Sequence, residues 1–159
     1  MTETLSALFQ KSRGAPIERD GVIIRPSFRF ALDKGVHNFV LRRLHVKFTP
    51  LQGIHLKIKK GDISLNGQKL HDVVLWANTS PEVIEFSVTS KGDGELLVWN
   101  AWEIDGIMQA WVGNAGVFIE KKSDHQTMLS CSDGTGSIDF SSIVVQIDAL
   151  PPLPRPPSG

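Results

Sequence analysis

Asn100, Trp102, Gln109 and Trp111 are the residues of this 159-residue chain whose types and spacing point most directly to a ligand. Asp105-Gly106, between AWEI and IMQAW, supplies the positive φ angles of a two-residue type I′ turn, and such a turn fixes cross-strand register. Counting outward, Ile104 faces Ile107, Glu103 faces Met108, Trp102 faces Gln109, Ala101 faces Ala110 and Asn100 faces Trp111. Asn100, Trp102, Gln109 and Trp111 then share one sheet face, while Leu97, Trp99, Ala101, Met108, Ala110 and Val112 share the other and read as core. Indole faces stack on the C–H side of a pyranose and carboxamides bond hydroxyls in pairs, so the first face predicts carbohydrate binding. The same pattern fits a sheet covered on both sides, its indoles packed and their N–H groups satisfied by the amides opposite. It also fits a face buried against a second copy of the chain, making the protein a homo-oligomer of structural or assembly type.

The elements that must position these residues are mostly strands. From Gly21 the apolar period is two, and windows 21–31, 37–48, 54–60, 62–66, 68–76, 82–89, 95–104, 107–120, 126–132 and 138–148 read as strands. Asn66-Gly67 makes a second type I′ hairpin, Lys91-Gly92-Asp93-Gly94 a looser hairpin loop, and Thr49 to Gly53 a five-residue one. Short strands with regular turns fit a sandwich or a barrel, and an all-β, antiparallel, jelly-roll-like β-sandwich spanning 21–150 is the expectation. Residues 1–20 read as a helical or flexible segment, with Leu5, Leu8 and Phe9 at helical spacing behind a Thr2 cap. Pro151 to Gly159, PPLPRPPSG, reads as a disordered polyproline tail, either a linker or a Pro-rich ligand.

A second ribbon runs through LRRLHVKF and GIHLKIKK. Leu44, Val46 and Phe48 alternate inward, as do Ile54, Leu56 and Ile58, and Arg43, His45, Lys47, His55, Lys57 and Lys59 point outward. Pairing Phe48 with Ile54 brings these six into one basic strip, suited to a phosphate, a nucleic acid or an acidic partner. The alternative is a solvated face whose lysines discourage edge-to-edge association.

The stretch from Ser132 to Phe140, SDGTGSIDF, resembles the DGxGxxDFxD turn that precedes a late strand in some bacterial calcium-binding β-sandwich and jelly-roll modules. The resemblance implies Asp133 and Asp139 as calcium ligands, with Ser142 standing where that pattern carries a further acid. Without calcium, the same two carboxylates cap the turn through backbone bonds. The segment from Gly53 to Leu150, with NGQKL, VLWANTSPE, LLVWNAW and QAWVGNAG, is similar in rhythm to galactose-binding-like jelly rolls. That resemblance implies a two-sheet sandwich that binds a ligand without transforming it.

Lys plus Arg and Asp plus Glu number 17 each, so no global field gathers nucleic acid or anionic membrane, and nucleic acid is not the expected partner. No window has the roughly 18 consecutive apolar residues of a spanning helix. A single cysteine, Cys131, and the absence of a signal-type apolar run near Met1 predict a cytoplasmic protein, or one whose export signal lies outside this sequence. His37, His45, His55, His71 and His125 show no metal-ligand spacing, and neither a phosphate loop nor a nucleophile elbow is present. An enzyme would need His71 or His125 to meet Cys131 or an acid in a cleft. The expectation is a non-catalytic binding module without a resident cofactor.

Overall fold

The structure is a computed structural model that describes residues 3–150; Thr2 and the Pro-rich tail 151–159 lie outside the described residues. Helix α1 (Leu5–Ser12) is capped by Thr4, whose hydroxyl accepts the Ala7 amide at 3.2 Å. Arg13 closes it in the left-handed region, φ 56°, with the Gly14 amide bonding back to the Phe9 carbonyl at 2.8 Å. Leu5 is fully buried, and the Leu5 and Ser6 amides bond to the Asn114 side chain and the Gly113 carbonyl. Helix α1 is therefore fastened to the body by both packing and hydrogen bonds.

The described residues otherwise form antiparallel strands: β1 (Ile17–Arg19), β2 (Val22–Arg25), β3 (Phe28–Leu32), β4 (Gly35–Val46), β5 (Leu51–Leu65), β6 (Gln68–Leu70), β7 (Asp72–Trp76), β8 (Val83–Ile104), β9 (Ile107–Gln109), β10 (Gly116–Lys121), β11 (Gln126–Ser132) and β12 (Ile143–Ala149). One hydrogen-bonded path runs β1-β2-β10-β11-β12-β4-β8-β5-β6, with β3 and β9 on β8 and β7 on β5. Strand β1 draws residues before Gly21 into this sheet through an Asp20-Gly21 turn at φ 52° and 79°. Both hairpins expected from Asn66-Gly67 and Asp105-Gly106 are present, pairing Leu65 with Gln68 and Ile104 with Ile107.

Two strands are far longer than the sequence windows suggest. Residues 54–60 and 62–66 are one strand, β5, with an irregularity at Lys60, φ 59°; residues 82–89 and 95–104 are likewise one strand, β8. The expected hairpin at Lys91 to Gly94 is instead a bend in β8. Gly92 and Asp93 turn through positive φ, the Ser90 hydroxyl bonds the Leu32 carbonyl, and a side chain at Gly94 would overlap Ser90. The two strands bend together: Gly61 to Ser64 pair with Ser87 to Ser90, and Leu51 to Lys59 pair with Glu95 to Glu103. One apolar cluster takes Leu56, Ile58 and Val98 from beyond the bend and Phe86, Leu129 and Ile147 from before it.

Strands β4 and β5 do not pair, so the expected basic ribbon does not form. Strand β4 lies between β12 and the first half of β8, whereas the Leu51 to Lys59 half of β5 lies between β8 and β7. A register shift between Val144 and Val145 leaves Leu44 as the extra residue on β4, inverting the phase after Leu41. Leu44, expected inside, is accordingly exposed, whereas Val46 packs against the core as expected and Phe48, past the end of β4, is 89% exposed.

Candidate functional site

The Asp105-Gly106 register holds for three pairs, ending with Trp102 opposite Gln109. Strand β9 stops there, and Trp111 adopts φ 57°, which for so bulky a residue is a strained conformation that the surroundings must hold. The consequence is a division of the four residues expected to share a face. Asn100 is buried with its amide donating to the Ser132 carbonyl at 2.9 Å, and Trp102 is only 1% exposed. Trp102 lies under the loop at Gly134, where an added methyl group would overlap its ring and the Val112 carbonyl. Gln109 remains half-buried on β9. Trp111 is 50% exposed and belongs with Trp99, on the face expected to be core.

The Asp133 carboxylate sits inside a polar knot below that loop. Its Oδ2 accepts from Lys47 and Gln52, both at 2.8 Å, and its Oδ1 accepts the Thr135 amide at 2.9 Å and hydroxyl at 2.6 Å. Burial acts to raise the Asp133 carboxyl, but the donors from Lys47, Thr135 and Gln52 outweigh it and hold it below the usual carboxylate range. Ser132 and Ser142 complete the loop: the Asp139 amide donates to the Ser132 hydroxyl and the Asp133 amide to the Ser142 hydroxyl. Asp139 is exposed, and the Ser141 hydroxyl and amide hold its carboxylate below the usual range. The two aspartates thus perform the turn-capping role, with the Lys47 ammonium as the cation at Asp133. Among the described residues no group of three or more His, Cys, Asp or Glu gathers at a metal-binding distance.

Trp111 ends an aromatic stack. His55 lies 4.2 Å from Trp99 and Trp99 4.6 Å from Trp111, centroid to centroid, with interplanar angles of 33° and 31°. The Trp111 indole N–H donates to the Pro26 carbonyl at 3.0 Å, fixing the ring in its plane. Burial lowers the His55 pKa, with Asp72 opposing and Lys57 adding to the effect, which favours the uncharged ring in the stack. A surface cleft of about 420 Å³ opens between Trp111 and α1, lined by Ser6, Phe9, Gln10, Arg13 and Pro26. An indole fixed from behind and at its edge, facing polar groups across an open cleft, can stack an apolar ring face and bond its substituents.

The other candidate residues are dispersed. Arg43 reaches the Ser80 carbonyl, His45 is exposed, and Lys47 belongs to the Asp133 knot. His55, Lys57 and Lys59 share one face of β5, but Asp72 stands opposite Lys57 and Glu95 opposite Lys59, so acids are interleaved with this part of the strip. Cys131 is in the apolar core, where burial pushes its thiol up to about 12, and His125 lies beyond the opposite end of β11. His71 meets Asp62 at 3.2 Å on the open surface, not Asp72, its sequence neighbour. No helix of the described residues is long and apolar enough to cross a membrane.

Sequence reasoning missed Trp99, His55, Gln10 and Arg13 as neighbours of Trp111. Gly113 and Asn114 carried the usable signal, because a turn so soon after Gln109 leaves too few residues for the hairpin to reach Trp111 in register. No protein family matches this chain, and no curated protein matches it.

Proposed function

We propose that the protein is a non-catalytic binding module whose ligand is a carbohydrate stacked on Trp111. The observation that carries this reading is the presentation of that ring: half-exposed, strained in φ, backed by Trp99 and tied to Pro26, beside Gln10, Ser6 and Arg13. Strain of this kind persists only where the surrounding structure enforces it, and it gathers at ligand sites. Compared with the site read from the sequence, Trp111 is retained, Trp99 takes the place of Trp102 as its aromatic partner, and Gln10 replaces Asn100 as the amide. The bend shared by β5 and β8, with one apolar cluster between the halves, supports a jelly-roll-like sandwich of the kind that binds ligands at its surface.

A glycan array with the parent protein and Trp111→Ala tests this. Covering one indole face is worth on the order of 1–2 kcal/mol, so the variant is expected to bind any recognised glycan about five- to thirtyfold more weakly, with its retained fold checked by circular dichroism. An array on which the parent binds nothing, or on which Trp111→Ala equals the parent, would remove the reading.

Self-association is the second reading, favoured by the exposure of Ile104, Ile107, Met108 and Val112 along the segment that leads to and follows Trp111. A concentration-dependent dimer that buries Trp111 would support it.

A further inference from the structure

The cleft beside Trp111 borders a second one. Arg25, Ser27, Phe28 and Arg29 line a further cleft of about 420 Å³, and the two clefts share Gly14 and Pro26 as their common wall. The combined surface carries three guanidinium groups, Arg13, Arg25 and Arg29, and no carboxylate lines either part. Arg29 is engaged by Glu95 at 3.1 Å, while Arg13 and Arg25 make no ion pair among the described residues. In a chain with as many acids as bases, two arginines outside any ion pair, on clefts lined by no acid, mark a local preference for anions.

We infer that this groove selects acidic saccharides, uronic or sulfated, with one sugar ring on Trp111 and the anionic groups of the same or neighbouring ring on Arg13 and Arg25. The inference rests on the carbohydrate reading and specifies its ligand. Arginine is suited to the role because its planar fork bonds a carboxylate or sulfate through two parallel N–H groups. Both arginines are fixed near their backbone, Arg13 by the left-handed cap of α1 and Arg25 by its pairing with Val117 and by the proline that follows it. A lone half-exposed indole at one end of a short groove matches one or two sugar rings better than a nucleic-acid strand, which needs repeated stacking platforms.

The test is a tryptophan-fluorescence titration of the full chain with an oligogalacturonate, a neutral galacto-oligosaccharide and a single-stranded oligonucleotide, repeated for Arg13→Gln, Arg25→Gln and Trp111→Ala. The parent is expected to bind the acidic saccharide at least about tenfold more tightly than the neutral one, a preference that narrows as salt is raised. Each arginine variant is expected to lose most of that preference, weakening binding of the acidic saccharide severalfold more than of the neutral one, with little change in melting temperature, since both side chains are exposed. Equal binding of acidic and neutral sugars, or arginine variants that keep the preference, would overturn the inference and leave the carbohydrate reading standing. Tighter binding of the oligonucleotide would overturn it in favour of a nucleic-acid site. Absence of any saccharide binding would overturn both.

Discussion

Trp102→Ala is expected to lower the unfolding free energy by about 3–5 kcal/mol, the cost of emptying a large buried aromatic site. For a domain of this size that corresponds to a fall in Tm on the order of 10 °C, read by urea and thermal denaturation. The indole is buried beneath Gly134 and lies on the face of β8 that also carries Asn100, so its loss opens a cavity under the loop and weakens the seat of the Asp133 knot. Trp102→Phe, which keeps part of the ring, is expected to lose less. Neither variant touches the Trp111 cleft, so glycan affinity measured below the melting transition is expected to match the parent. A loss under about 1 kcal/mol for Trp102→Ala would contradict its placement in the core.

Asp133→Asn is the second large effect, at about 3 kcal/mol near neutral pH. The amide nitrogen would oppose the Gln52 amide or the Lys47 ammonium, leaving a half-buried lysine without its counter-charge. The pH dependence has a definite sign. The Asp133 carboxyl is lowered in the folded state from its usual 3.8, so between the two values the unfolded chain binds more protons and stability rises with pH. The contribution is complete above about 3.8 and disappears as pH falls through the folded value. Denaturation of parent and variant as a function of pH is therefore expected to show curves that are parallel above that point and converge below it. Curves with a constant gap down to the most acidic conditions would show that the charge on Asp133 is not what stabilises the loop.

The local turn chemistry of this chain is legible in its sequence, and its long-range register is not. Asn66-Gly67 and Asp105-Gly106 specify their hairpins because two adjacent residues with positive φ leave one geometry open. Asp20-Gly21 carries the same signal and also makes a hairpin, but its strands of three and four residues are too short to show a period. The bends in β5 and β8 are another matter. Lys91-Gly92-Asp93-Gly94 has the composition of a hairpin loop, and only the presence of β5 alongside, with its own irregularity at Lys60, makes it a bend within one strand. Leu44 shows the same limit: as a single extra residue, set by the register against β12, it swings outward, and Phe48 falls past the end of the strand. At the candidate site the sequence pointed to Trp111 and to the aspartate loop. It could not reveal that a change of backbone region at Trp111 carries the ring to the opposite face, onto Trp99 and beside a helix more than 95 residues earlier in the chain.

Trp111 is the presented indole and Trp102 the enclosed one. Acrylamide quenching of tryptophan emission, compared between the parent, Trp111→Phe and Trp102→Phe, measures this directly. The expected result is a readily quenched component that vanishes in Trp111→Phe, persists in Trp102→Phe and is shielded when a recognised saccharide is added. A quenched component that survives Trp111→Phe, or one that disappears with Trp102→Phe, would contradict the account.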